Sequence, residues 1–144
     1  MAFEAGRIML SRIDELIKDQ VDFAIETTLS TRSYVSMVLD AQRKGYCVTL
    51  LYVWLESAAV AVERVAERVA EGGHNIPSDI IHRRYQRGLH NLLHLYIPIV
   101  DFWVVVNNTH NKLERISTGN KKLVHEIYLP YIWTQIQSVA NGQL

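Results

Sequence analysis

The sequence predicts an α/β fold, a parallel sheet with helices on both faces, built as a single domain over residues 1–144. Three observations predict it. Stretches with helical spacing of apolar residues alternate with short apolar runs, which is the order of βαβ units. The longest such run, Cys47–Leu55, is rich in β-branched and aromatic residues and reads as a strand buried on both faces, as parallel sheets require. No internal repeat, low-complexity tract or linker interrupts the chain.

The elements follow in order. Ile8, Leu10, Ile13, Leu16 and Ile17 recur at helical spacing, so Phe3 to about Asp19 is an amphipathic helix. Val21–Leu29 reads as a strand ending in polar Glu26-Thr27-Thr28. Ser33–Lys44 is a second helix, with Tyr34, Val38 and Ala41 on one face and Gly45 as its stop. After the Cys47–Leu55 strand, Ala58 to Glu71 forms a helix whose stripe is Val62, Val65 and Val69, ended by Gly72-Gly73. Pro77 suits the first position of the next helix and Asp79 its first turn. That helix runs to about Ile97, with Pro98 near its end. Phe102–Val106 is a third strand, closed by Asn107-Asn108-Thr109. His110–Lys122 is polar and carries Gly119, so it reads as a loop, and Pro130 opens a last helix with Trp133 and Ile136 inward.

Composition narrows the function classes. Hydrophobic residues are 49% and charged residues 21%, a profile of a folded domain. Fifteen basic residues balance fifteen acids, so nothing points to nucleic acid or an anionic membrane, and any anion site must be local. One cysteine, Cys47, excludes a disulfide framework and a cysteine-based zinc site. Met1–Met9 carries Glu4 and Arg7 and does not read as a signal peptide, and Val48–Leu55 is far short of the ~20 residues that cross a bilayer. The expectation is a cytoplasmic protein without a membrane partner.

In open parallel sheets ligands bind beyond the carboxyl ends of the strands. Here the strands end in Glu26-Thr27-Thr28, Glu56-Ser57 and Asn107-Asn108, although polar residues also end strands for no functional reason. Arginines gather nearby: Arg64 and Arg68 on one helix, Arg83, Arg84 and Arg87 on the next, with the flexible Gly72-Gly73-His74 between them. Guanidinium groups from two helices suit a polyphosphate, since each donates two parallel hydrogen bonds. The alternative is surface pairing, Arg64 with Glu67 and Arg68 with Glu71, worth about 0–1 kcal/mol each. His90 and His94 are four apart with His82 before them, but no acidic third ligand lies near, so no metal site is assigned. No Gly-x-Ser-x-Gly elbow frames any serine.

Phe23-Ala24-Ile25-Glu26-Thr27-Thr28-Leu29-Ser30 resembles the zeta-toxin family of P-loop kinases. The likeness continues through Gly45-Tyr46, Tyr52-Val53-Trp54-Leu55 and Arg64-Val65-Ala66-Glu67-Arg68-Val69. It is sharpest at Gly72-Gly73-His74-Asn75-Ile76-Pro77 and Arg83-Arg84-Tyr85-Gln86-Arg87-Gly88-Leu89. It runs from about Ala5 to Asn108, and the Trp133 helix is similar to the family's tail. The resemblance implies an adenylate-kinase-like core and transfer of the ATP γ-phosphate, with Mg²⁺, to a hydroxyl of a small compound such as a UDP-linked amino sugar. It also implies roles: Glu26 and Thr28 in the substrate pocket, Arg68, Arg84 and Arg87 on phosphate, Asn107 and Asn108 towards adenine, and Gly72, Gly73 and His74 in a closing lid.

One departure is large. Family members open with a strand, a Gly-x-x-x-x-Gly-Lys-[Ser/Thr] loop, a helix and a second strand bearing an aspartate, and these 144 residues contain no such loop. That loop supplies backbone donors, a lysine and a hydroxyl for Mg²⁺, so the chain is expected to be inactive alone, and no residue is assigned as catalytic. The missing strand would lie between Val21–Leu29 and Cys47–Leu55, which predicts either a sheet paired in another order or a dimer or complementing chain that supplies a strand. A binding or assembly module derived from the same fold is the alternative function.

Overall fold

The computed structural model describes residues 2–142, and side chains from Glu4 onward; Met1, the first residue of the stretch weighed as a signal peptide, lies outside them. The helices are α1 (Ala2–Lys18), α2 (Tyr34–Arg43), α3 (Ala58–Ala70), α4 (Ser78–Asn91) and α5 (Pro130–Ala140). The strands are β1 (Thr49–Trp54), β2 (Phe102–Asn107), β3 (Glu114–Asn120) and β4 (Leu123–Ile127), forming one sheet in the order β1-β2-β3-β4.

The sheet is mixed, not parallel. β1 and β2 pair in parallel, with Thr49 opposite Phe102 and Trp54 opposite Asn107, so both strands end level. β3 and β4 then add antiparallel. β3 occupies ground read as loop from the sequence, and β4 a stretch for which the sequence predicted no element. β4, at the sheet margin, is exposed along its whole length, whereas β3 is buried at Ile116, Ser117 and Gly119. Gly119 is a packing requirement and not a loop residue: a Cβ there would collide with the Trp103 ring and the Leu123 carbonyl.

Val21–Leu29 is the second correction. It is extended but belongs to no sheet. Residues 22–28 make no backbone–backbone hydrogen bond with the described residues. The segment is held by side chains instead: Phe23 and Ile25 pack with Ile13 and Ile17 of α1, Ala41 of α2 and Tyr46. Tyr46 Oη donates to the Val21 carbonyl at 2.9 Å.

The main core lies on the face of the sheet that carries Leu50, Tyr52, Trp54, Trp103 and Val105, against Leu89, Leu92 and Tyr96 and against Trp133 and Ile136 of α5. Trp103 and Trp133 stack at 5.6 Å, an arrangement worth about 0.5–1.5 kcal/mol beyond the area it buries. On the opposite face Leu51, Val53 and Phe102 are about half exposed, while Val106 is buried. The strand expected to be buried on both faces is therefore buried on one, and Cys47, just before it, is exposed. The long helix expected up to Ile97 is two pieces. α4 passes into a π-helical turn, Leu92–Tyr96, whose wider loop is closed by Ile97 N–H on the Leu92 carbonyl at 2.9 Å.

Candidate functional site at the strand ends

Because β1 and β2 end level, the loops after them share one rim. Asn107 is buried there, and its Oδ1 accepts from the Thr109 amide at 3.0 Å and the Thr109 hydroxyl at 2.7 Å. Thr109 Oγ1 in turn accepts from the Glu56 amide at 3.0 Å, so the two strand ends are tied by one chain of hydrogen bonds. Ser57 caps α3 by accepting from the Val60 amide at 3.3 Å. Arg64, one turn and a half into α3, reaches back with Nη2 to the Asn108 and Thr109 carbonyls at 3.0 and 3.1 Å. Over this rim lies a cleft of about 540 Å³ whose lining includes Glu56, Asn107, His110, Tyr131 and Gln135. Tyr131, the second residue of α5, is 85% exposed.

A second group of side chains lies where α4 crosses β1 and the extended segment. A Cβ on Gly88 would stand 2.7 Å from the Thr28 carbonyl and 3.2 Å from Tyr52 Oη, so glycine alone permits that crossing. One turn earlier, Tyr85 Oη donates to the Leu55 carbonyl at 2.7 Å. Burial holds the Tyr85 hydroxyl protonated up to about 12, with the Glu56 carboxylate adding to the effect. Burial, then the neighbouring Tyr85, raises Tyr52 further. Leu29 follows in the left-handed region at φ 60°, with its carbonyl held by the buried Asn91 Nδ2 at 2.9 Å.

Each residue expected at a site has a definite place. Glu26 and Thr28 are exposed at the end of the extended segment, with Thr28 Oγ1 bonded to Ser30 Oγ at 2.9 Å. Arg68 is exposed in the last turn of α3, and Arg84 and Arg87 are exposed on α4. None of these three guanidinium groups makes an ion pair or side-chain hydrogen bond with the described residues; the ion pairs among those residues are Arg7–Glu4, Arg12–Glu15 and Arg43–Asp40. The surface pairs Arg64–Glu67 and Arg68–Glu71 are therefore not formed. Gly72 adopts φ 97°, and Gly73 donates to the Arg68 carbonyl at 2.7 Å, so both glycines have a local duty in ending α3. His74 is exposed after them.

Sequence reasoning placed Asn107 beside a ligand and missed that its oxygen is engaged in the rim. It also missed Arg64 as a strap, Tyr85 as a clamp on the β1 end, and Tyr131. The His90 and His94 rings lie 4.5 Å apart and tilted by 43°, His90 Nδ1 lies 3.2 Å from the Ala140 carbonyl, and no three His, Cys, Asp or Glu side chains come together among the described residues.

A mixed four-stranded sheet whose parallel pair ends in polar residues, joined to five helices among the described residues, defines the class: an α/β protein. The family described as "Zeta toxin" matches residues 2–116, and the chain belongs to that family, whose fold is of the P-loop kind. A protein of Haemophilus influenzae, described only as uncharacterized, is 33% identical over 82 residues, covering 57% of this chain and 59% of that protein. The chain thus spans about three-fifths of the relative it matches. No solved structure matches. Among the described residues no helix is long and apolar enough to cross a membrane.

Proposed function

We propose that residues 1–144 form one domain that carries the acceptor-substrate and lid side of a kinase site. The γ-phosphoryl group of ATP would pass to a hydroxyl of a small molecule, with a UDP-linked amino sugar as the acceptor class. The observation that carries this reading is that Arg68, Arg84 and Arg87 of α3 and α4 are exposed and, like Arg83 beside them, make no ion pair or side-chain hydrogen bond with the described residues. An unpaired guanidinium gains most from an anion, each charged hydrogen bond being worth about 1.5–3 kcal/mol.

In this account Arg68, Arg84 and Arg87 hold the phosphates, and Gly72, Gly73 and His74 let α3 and α4 close over them. Glu26 and Thr28 orient the acceptor hydroxyls. The rim fixed by Asn107, Thr109 and Arg64 shapes the cleft where a nucleoside base would lie, with the exposed Tyr131 ring as its stacking partner. In the transfer the acceptor oxygen bonds to Pγ, the bond from Pγ to the β-bridging oxygen breaks, and ADP leaves. The described carboxylates do not gather into a set that would hold Mg²⁺, so that ion would take its ligands from the nucleotide phosphates and from groups beyond these residues. The acceptor's proton and the amide cradle for the β-phosphate likewise have no residue here, and the chain by itself is expected to bind without turning over.

The test is thermal. ATP or pyrophosphate at a hundredfold excess over Kd should raise Tm by about 9 °C, and Arg84→Ala or Arg87→Ala should cut that gain to about half or less at the same ligand concentration. An unchanged Tm with both anions counts against the reading. A second reading, a binding module without catalysis, is favoured by one observation: the Asn107 oxygen and the Arg64 guanidinium are spent on the rim itself. It predicts that adding a P-loop-bearing partner yields binding but no ADP.

A further inference from the structure

A second cleft, of about 610 Å³, opens where α4 and the π-helical turn face the end of α5, and Gln86, His90, His94 and Asn141 are among the residues that line it. Gln86, His90 and His94 follow one another at four-residue steps and so form one row along the helix. Four residues of α-helix overshoot a full turn by about 40°. The π-helical turn begins at Leu92, between the two histidines, and its wider winding takes up part of that overshoot. The two rings accordingly stand 4.5 Å apart, centre to centre, and are tilted by 43°. Two imidazoles bound to one ion through nitrogens at about 2.0–2.1 Å have ring centres roughly 4.5–5 Å apart.

A main-chain group sets the state of the first ring. Ala140 closes α5, and its carbonyl is among those that a helix end leaves without an internal partner. It lies 3.2 Å from His90 Nδ1. A carbonyl only accepts, so Nδ1 carries the proton, and in the neutral ring the Nε2 lone pair is left for another partner. An imidazole that donates from one nitrogen to a main-chain carbonyl is oriented, and made more basic, at the other, as metal-ligating histidines are. The end of α5 also carries partial negative charge, which favours a cation beside Ala140. Arg87 lines the cleft too and opposes a cation there, but its guanidinium is exposed and screened by water and salt. Both histidines are exposed, so an ion reaches them from solvent. Among the described residues the lining has no carboxylate, so the donors suit a nitrogen-preferring ion and not Mg²⁺.

We propose that His90 and His94 are the two protein ligands of a site for a late first-row divalent cation, zinc or copper, bound through Nε2 of His90 and one nitrogen of His94. Water fills the positions that two imidazoles leave open. The want of a third protein ligand, which left the pair unassigned from the sequence, makes the site open and exchangeable. Through the Ala140 bond, the ion steadies the end of α5 against α4. The inference rests on the imidazoles and stands whether or not the arginines bind a nucleotide.

The test is a titration of the protein with Zn²⁺ in a Cys47→Ser background, because the exposed Cys47 thiol would compete for the ion. Nitrogen NMR spectra of the histidine rings are read at each addition. One equivalent should bind. The ring signals of His90 and His94 should move while those of His74, His82, His110 and His125 do not, and His90 should keep its Nδ1 proton. His90→Ala and His94→Ala should each weaken binding at least tenfold. His94→Ala leaves the Ala140 bond intact, so a loss in that variant does not come from a loosened α5. No saturable binding up to about 1 mM Zn²⁺ overturns the proposal. So does binding that both variants retain, or ligation of His90 through Nδ1, which would require the Ala140 bond to break.

Discussion

Leu29 sits in a conformation that costs a leucine roughly 1–2 kcal/mol, and two contacts hold it there: burial of its side chain and the Asn91 amide on its carbonyl. The turn it makes ends the segment bearing Glu26 and Thr28. Asn91→Ala should therefore cost about 1–3 kcal/mol in urea unfolding by orphaning that carbonyl, a loss well beyond that of an exposed asparagine. Tyr85 offers a pH-dependent signature. Its folded pKa is raised from the ordinary 10 to about 12, so the stability it gives is complete below pH 10 and is lost as pH rises through 12. Tm measured from pH 9 to 12 should fall more steeply for the wild type than for Tyr85→Phe, which lacks the titrating hydroxyl. Equal slopes would contradict the assignment. At this scale the sequence was mute, because which tyrosine is buried and which asparagine clamps a carbonyl are properties of tertiary neighbours.

At the scale of elements, Asp101 splices α2 to the start of the sheet. One carboxylate oxygen accepts from the Val48 amide at 2.8 Å and from Gln42 Nε2 at 3.0 Å. The Val48 bond, with help from Gln42, holds its pKa below the ordinary value against the opposing effect of burial. A depressed folded pKa means stability present above about pH 4 and lost as pH falls through the folded value. Asp101→Ala should lower Tm at neutral pH and flatten the acid limb of the stability curve, and an acid limb identical to the wild type would refute the splice. The helices and the parallel pair were legible in the sequence because each carries a full apolar stripe or run: Val38 and Ala41 of α2, Leu50–Trp54 of β1, Trp133 and Ile136 of α5. β3 and β4 were not legible: β4 buries none of its residues and β3 is largely polar, Ile116 being its one large apolar side chain, so neither carries an apolar run. Val21–Leu29 was read as a strand because it has a strand's pattern. Pairing is a property of two segments, and residues 22–28 have no backbone partner among the described residues.

For the molecule as a whole, the sheet has an edge strand at each margin. β4 is exposed along its length, with Leu123, Val124 and Ile127 among the exposed residues, and at β1 Leu51 and Val53, on the face opposite the main core, are about half exposed. Substituting Leu51→Lys, on that face and outside the core, should change unfolding free energy by no more than about 0.5 kcal/mol while raising the concentration at which the protein begins to associate, followed by light scattering. A loss above 2 kcal/mol would mean the face is packed in solution. Of the candidate site, the sequence disclosed the strand-end residues and the arginines, and the resemblance supplied their roles. The rim built by Asn107, Thr109, Glu56 and Arg64 emerged only from the level ending of β1 and β2.

The central claim is that free arginines of α3 and α4 bind the phosphates of a nucleotide, and calorimetric titration with ATP at two salt concentrations tests it most directly. Binding should weaken as salt rises, and Arg84→Ala or Arg87→Ala should each weaken it about 10- to 100-fold. An affinity indifferent to salt and to both substitutions, or no heat of binding in the wild type, would contradict it.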